Sequence, residues 1–479
     1  MSERLKKGGL SWTGHPIVDA GVATLTAFAE KNYPDEVTFA DLEKFVRYAE
    51  KAYFSSAISG YLTVLFTSNF MNPSWSLEKK KEYLGQILRS YNNEPTSGSC
   101  VYCKKPSVNL PTSDLAYRDL IPMLTGRGIA NFFPGGHSGL SLCGYCLLAI
   151  QAIAIGAPMV SGRALIVSSD DPLFTLDIIK KWLPETRSRV QLSEISDKKP
   201  PAINRPLTRV IEAIMLCDNE KTKWREDASL TVYHLSNSGQ GPSIDIFNLP
   251  SNITKFINRA KTVKYRDSWN EIIKSAWEKD VKGNDSIKIR NKSGRRNYLF
   301  EDLFKLPENA GSFIRTYFLR QPPNYSTNMD PRKEYKGWQD AKYVKWNLAE
   351  LFLEEVIHME KSRIEAIKRL GDRIAEEIVS TNDRGFWYSI YNCQKFYEMR
   401  NILIRQSQKC IKAGKEPLIR LDPFLEIFEE GEELARADWR LAWDLTLIRV
   451  IEQLYDKKWF EKNRDVLETK DTSLELQEA

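Results

Sequence analysis

Four of the seven cysteines fall into two matched pairs, Cys100-Val-Tyr-Cys103 and Cys143-Gly-Tyr-Cys146. Four thiolates are what a structural tetrahedral zinc site uses, and such a set leaves no open position for a reacting water. The expected ligands are therefore Cys100, Cys103, Cys143 and Cys146, and the expected cofactor is a structural Zn2+. Two disulfides are the rival reading, and a redox motif comes third. Cys217, Cys393 and Cys410 stand alone in apolar surroundings. Residues 104–142 separate the two pairs, more than the roughly 15–20 residues of a compact ribbon, so an insertion must be threaded between them.

The segments around the pairs indicate how they are held. The first follows Thr96-Ser97-Gly98-Ser99, a turn-like run. The second leads directly into Cys146-Leu-Leu-Ala-Ile-Gln-Ala-Ile-Ala-Ile, a helix-like run, whose N-terminus favours negative charge. One knuckle on a turn and one at a helix start resembles a treble-clef zinc arrangement. Just before the second pair lies Gly126-Arg-Gly-Ile-Ala-Asn-Phe-Phe-Pro-Gly-Gly-His-Ser-Gly-Leu. This density of glycine exposes backbone amides, yet it matches neither the P-loop nor the dinucleotide-binding pattern. A loop clamped at its base by zinc and offering Arg127, Asn131, Phe132 and His137 suits reading a nucleic-acid groove, since Asn pairs with adenine edges and an aromatic ring wedges or stacks. A structural loop packed on the zinc site is the other reading.

A second candidate surface is basic. The net charge is +6, and it concentrates between residues 255 and 296. Candidate nucleic-acid contacts there are Lys255, Arg259, Lys261, Lys264, Arg266, Lys288, Arg290, Lys292, Arg295 and Arg296, with Tyr265, Trp269, Trp277 and Tyr298 interleaved. Basic residues follow a phosphate backbone and aromatic rings stack on bases. A solvated amphipathic helix followed by a lysine-rich loop would give the same pattern.

A chain of 479 residues holds two to four domains. The opening residues lack the apolar core of a signal peptide, and the longest apolar stretch, 147–160, is too short to span a bilayer. A reducing cytoplasm, with no membrane role, is the expected setting. In that reducing compartment zinc is favoured over disulfides. In the entry segment, His15 and Asp19 have no nucleophile nearby and read as a packed turn. Thr38 and Asp41 form a capping-box variant at a helix start. Residues 61–67 read as a strand, 77–91 and 114–124 as helices, 164–168 as a buried strand, 173–183 and 207–216 as helices, and 229–235 as a strand. This mixture predicts an α+β, helix-rich N-terminal region over 1–320 with an embedded four-cysteine zinc site (about 96–150) and a basic segment (about 251–300).

Residues 321–337 read as a linker, with no strand after it. Ile357, Ile364, Ile367, Ile374 and Ile378 form one apolar stripe, and Ile390, Cys393, Tyr397, Ile404 and Ile411 a second. Asp422 caps a third, acidic helix with Pro423 at its first position, and Leu441, Leu445, Ile448, Ile451, Tyr455 and Trp459 mark a fourth. The expectation is an all-α C-terminal four-helix bundle over 338–465, followed by an acidic tail, 466–479.

Taken together, the entry segment Trp12-Thr-Gly-His-Pro-Ile-Val-Asp19, the two cysteine pairs, the glycine-rich stretch and the helical C-terminal third resemble the CXXC-CXXC large subunit of the type I-B CRISPR effector complex (Cascade). The resemblance covers most of the chain, and the cysteine pairs are its most specific part. It implies a non-enzymatic, DNA-binding and RNA-binding subunit of an antiviral defense system. Such a subunit contacts the 5′ handle of the guide RNA, recognises the short target-flanking motif (PAM) in double-stranded DNA, helps to open the R-loop and recruits the helicase-nuclease. The implied partners are the guide RNA, the target DNA, the backbone, 5′-handle-binding and small Cascade subunits, and the helicase-nuclease or, in a transposon-associated system, the transposition proteins. The C-terminal bundle would resemble the small subunit. Two alternatives stand beside it. One is a zinc-dependent nuclease or nucleic-acid-modifying enzyme, for which the conspicuous acidic pairs are Asp170-Asp171, read as a strand-end cap, and Glu429-Glu430, read as solvated helix surface. The other is a structural zinc protein that binds nucleic acid without a guide RNA.

Overall fold

The structure, a computed structural model, describes residues 9–67, 72–111, 113–124, 139–196, 201–218, 223–237, 241–279, 294–324, 327–430, 434–464 and 467. It is helix-rich with small sheets. The chain divides into two compact units, Met1–Lys255 with Asn284–Arg296, and Phe256–Gly283 with Asn297–Ala479. Residues 321–337, where the sequence suggests a linker, thus lie inside the second unit.

The first unit is built on two apolar helices, α1 (Pro16–Phe28) and α5 (Gly144–Gly156). Every residue from Val18 to Ala27 in α1 and from Cys146 to Gly156 in α5 is buried. A helix that is apolar all round belongs in a core rather than on a surface. The two helices cross closely at Gly21, where a Cβ would collide with the carbonyl of Ala149. Around them lie α2 (Phe39–Ala52), capped by Thr38 and Asp41 as expected, α3 (Ser59–Leu65), α4 (Leu77–Leu88), α6 (Pro172–Ser196) and α7 (Pro206–Leu216). Strands β1 (Pro95–Ser99) and β2 (Pro106–Val108) form an antiparallel hairpin. A four-stranded antiparallel sheet runs in the order β3 (Met159–Val160), β4 (Arg163–Ser169), β5 (Leu230–Ser236), β6 (Ser243–Leu249).

Two local expectations are corrected in this unit. Residues 61–67 do not form a strand; they lie largely in α3, because Tyr61, Leu62 and Leu65 share one buried helical face. Packing overrides the β-propensity of a short aromatic and β-branched run. Residues 114–124 are not a helix but a series of turns, pinned where Ala116 pairs with Leu140.

Helix α8 (Ser251–Ala260) carries the chain out of the first unit. The second unit contains α9 (Arg266–Ser275), α10 (Tyr298–Leu303), α11 (Ala310–Phe313), α12 (Trp346–Phe352), α13 (Lys361–Thr381), α14 (Arg384–Tyr391), α15 (Phe396–Lys412), α16 (Leu421–Phe428) and α17 (Trp439–Asp456). Two π turns, Ile314–Phe318 and Leu353–Ile357, extend α11 and α12. The stripe Ile364, Ile367, Ile374 and Ile378 on α13 is buried, as are Leu445, Ile448 and Ile451 on α17.

The second stripe divides. Ile390 and Cys393 are buried, but Tyr397, Ile404 and Ile411 are 58%, 46% and 58% exposed, and α15 instead buries Met399, Leu403, Gln406 and Cys410. The chain leaves α14 at Tyr391 and enters α15 at Phe396, so the helical phase resets between the two halves of the stripe. Helix α16 starts two residues earlier than expected, with Arg420 rather than Asp422 at the cap and Asp422 inside the first turn. Glu429 and Glu430 are not helix surface: they form β7 (Glu429–Glu430), which pairs with β8 (Leu434–Ala435), and Glu429 is buried.

Candidate metal centre

The first cysteine pair sits on the turn between β1 and β2. The backbone N–H of Cys100 donates to the carbonyl of Lys105 at 2.8 Å, and that of Lys104 donates back to the carbonyl of Cys100 at 3.0 Å. Lys104 takes a left-handed conformation, φ 63°, which lets the backbone fold around Cys100. The second pair begins α5. Cys143 is its N-cap, and the Cys143 sulfur accepts the backbone N–H of Cys146 at 3.4 Å. Glycine is required at position 144, since a Cβ there would run into the backbone of Ser90 and Tyr91.

Hairpin and helix start bring the four sulfurs within 4.8 Å of one another, and Cys103 Sγ lies 3.4 Å from Cys143 Sγ. A tetrahedral four-thiolate centre with metal–sulfur bonds of about 2.3 Å sets its sulfurs about 3.8 Å apart, so the cluster fits a metal ion. All seven cysteines are free thiols, so neither pair is a disulfide. Among the described residues, this is the group of three or more His, Cys, Asp or Glu side chains gathered at metal-binding distance. The thiols compete for negative charge. Hydrogen bonds from Cys143 and Cys146 hold Cys100 well below the usual thiol range. Cys143 is pushed up to about 12 chiefly by its hydrogen bond to Cys100, and Cys146 is raised by its bonds to Cys100 and Cys143. A bound divalent cation supplies the charge that lets all four ionise.

The entry segment packs on this cluster. The His15 ring lies 4.7 Å from that of Tyr102, between the two cysteines of the first knuckle. Lys105 Nζ donates to the carbonyl of Gly9, and the Tyr145 ring lies against Gly9. Asp19 accepts the N–H of Thr13 at 2.8 Å and that of Gly14 at 2.9 Å, which makes it the staple of the turn. Burial lowers the pKa of His15, with Asp19 opposing that effect.

Arg127, Asn131, Phe132 and His137 lie outside the described residues, but both ends of their loop are described. Ala116 and Leu140 exchange backbone hydrogen bonds of 2.8 and 2.9 Å. Val101 N–H donates to Ser141 at 3.1 Å, and Val108 N–H to Leu142 at 2.9 Å. Residues 140–142, where the glycine-rich stretch ends, therefore run along the cysteine hairpin. Two residues that sequence reasoning missed fasten its other end. Asn237, fully buried, accepts from Arg118 Nε at 2.9 Å and Met123 N–H at 3.3 Å and donates to the Leu65 carbonyl at 2.9 Å. Gln151 Nε2 donates to the Leu120 carbonyl at 3.1 Å. Gln151 carried a signal, as the lone polar residue in an apolar run; Asn237 carried none.

The basic segment behaves differently. Lys288, Arg290 and Lys292 lie outside the described residues. Lys264 and Arg266 are exposed, Lys255, Lys261, Arg295 and Arg296 half-buried, and Arg259 pairs with the buried Glu355. Two of the interleaved rings are not available for stacking on bases. Trp269 is fully buried edge-on to Phe256, and Tyr298 is buried beneath Arg332. Asp170 and Asp171 are a strand-end cap as expected: Asp170 accepts the Ser229 N–H at 2.7 Å, and Asp171 accepts those of Leu173 and Arg225 at 3.1 and 2.9 Å. No described helix is long and apolar enough to cross a membrane.

No family model matches the chain, and no curated protein matches it.

Proposed function

We propose that this chain is the non-catalytic large subunit of a type I-B CRISPR Cascade, with Cys100, Cys103, Cys143 and Cys146 holding a structural Zn2+. One observation carries the reading. The entry segment and the two cysteine pairs behind the resemblance are distant in sequence yet meet at a single locus, beside the residues that leave the glycine-rich stretch. His15 packs on Tyr102, and Ser141 and Leu142, just after the stretch, accept backbone hydrogen bonds from Val101 and Val108 of the hairpin that holds Cys100 and Cys103. In this reading zinc sets the base of a loop that reads the flanking motif of duplex DNA, while guide pairing reads the target sequence. Lys261, Lys264 and Arg266 follow a phosphate backbone, and the C-terminal helices from α13 to α17 serve as the counterpart of the small-subunit bundle.

Native mass spectrometry of the tagged protein purified from its own operon tests this. The expected particle contains a guide RNA, repeated backbone subunits and one copy of this chain with one zinc. A monomer without RNA or partner subunits overturns the assignment. Metal-dependent cleavage of nucleic acid by that monomer would support the nuclease alternative instead.

A further inference from the structure

Within the second unit a cavity of about 730 Å³ is lined by four cations, Lys305, Arg315, Arg332 and Arg440, and one acid, Asp302. That volume lies within the roughly 300–1,000 Å³ of small-molecule sites. The cations are held in place by carboxylates. Arg315 Nε donates to Asp444 at 2.6 Å and Arg440 Nε to the same carboxylate at 3.1 Å, and Asp444 is fully buried. Among the other lining residues, Asp302 accepts from Lys305 at 2.7 Å and from Arg332 at 2.5 Å, and the buried Asp330 holds Arg332 at 2.7 Å. Guanidinium groups fixed in this way have less side-chain freedom to lose when they bind an anion. Arg315 lines the cavity, grips Asp444 through Nε and remains 41% exposed. It stands in the π turn Ile314–Phe318, a backbone form that is rare and concentrates at functional sites. Trp439, half-buried, lines the same cavity.

We propose that this cavity binds a free nucleotide, with phosphates on Arg315, Arg440 and Lys305 and the base against Trp439. Planar forks fixed around one space match phosphate oxygens, and an indole face offers a base a stacking surface. The site is separate from the metal centre and does not depend on the Cascade reading.

Calorimetric titration of the full chain, without guide RNA, with ADP, pyrophosphate and adenosine tests it. Saturable ADP binding, tighter than pyrophosphate or adenosine, is expected. K305E and N309D change exposed lining residues and leave the buried carboxylates untouched; each should weaken ADP by at least roughly tenfold. Absence of saturable ADP binding, or ADP affinity unchanged in both variants, overturns the site. Equal affinities for ADP and pyrophosphate overturn its assignment to a nucleotide. Because no guide RNA or partner is present, these outcomes are independent of whether the chain assembles into a Cascade.

Discussion

The Cys143 sulfur lies 3.4 Å from the backbone nitrogen of Cys146, so one atom both caps the most buried helix of the first unit and serves as a candidate metal ligand. Metal loss and fraying of α5 are thereby coupled. Cys143→Ser separates the two roles, because serine remains a good N-cap but supplies no soft thiolate. Zinc per chain, read by elemental analysis, should drop from one to near zero. The melting temperature should fall by several degrees even though the cap is preserved. Full zinc content in the variant would exclude Cys143 from the ligand set.

Gly144 offers a steric counterpart. Its missing Cβ is the space filled by the backbone of Ser90 and Tyr91, and neither backbone segment can rotate aside as a flexible side chain would. Gly144→Ala should cost about 2–4 kcal/mol, read as a shift in the denaturant midpoint. Wild-type stability would mean that the helix start and residues 90–91 separate freely.

How far the sequence foretold this arrangement depended on whether a signal was local. The cysteine pairs, the Thr38 cap and the strand at 164–168 are decided by neighbours a few residues away, and they fold as their patterns say. Tyr61–Leu65 carries a strand-like composition, yet it is helical because its burial partners come from elsewhere in the unit. Tyr397, Ile404 and Ile411 keep helical spacing with Ile390, yet a helix break at 392–395 turns them to solvent. Trp269 and Tyr298 sit among cations in sequence, but that says nothing of which way a ring points. Asn237 joins residues more than a hundred positions away, which no window along the chain reveals.

Two of the four histidines are held neutral by the fold. Burial lowers the pKa of His15 and of His234, and His234 Nε2–H donates to the Val160 carbonyl at 2.8 Å. In the unfolded chain each takes a proton near pH 6.5, so between the depressed folded value and 6.5 the unfolded state binds more protons. Stability from these groups is therefore complete above about pH 6.5 and is lost as pH falls below it. Equilibrium unfolding of wild type and His234→Gln at pH 7.5 and 5.5 checks the sign. The wild type should lose more stability over that interval than the variant does. Equal losses would mean that His234 does not contribute.

The basic stretch yields the last prediction, and its arithmetic is electrostatic. Lys264 and Arg266 are exposed and Lys261 is half-buried, whereas Arg259 is committed to Glu355. If the first three lie on phosphates, each releases about one counterion, and the slope of log K against log salt falls by about 0.9 for each cation neutralised. The triple variant K261Q/K264Q/R266Q should thus bind duplex DNA more weakly and show a salt slope shallower by roughly 2 to 3 units. Removal of Arg259 alone should act on folding first, because it takes a cation from the buried Glu355, at a cost of about 1–3 kcal/mol. Duplex affinity measured from low to moderate salt distinguishes the two effects. A parallel displacement of the triple variant's line, with the slope unchanged, would mean that these cations shape the unit without touching the phosphate backbone.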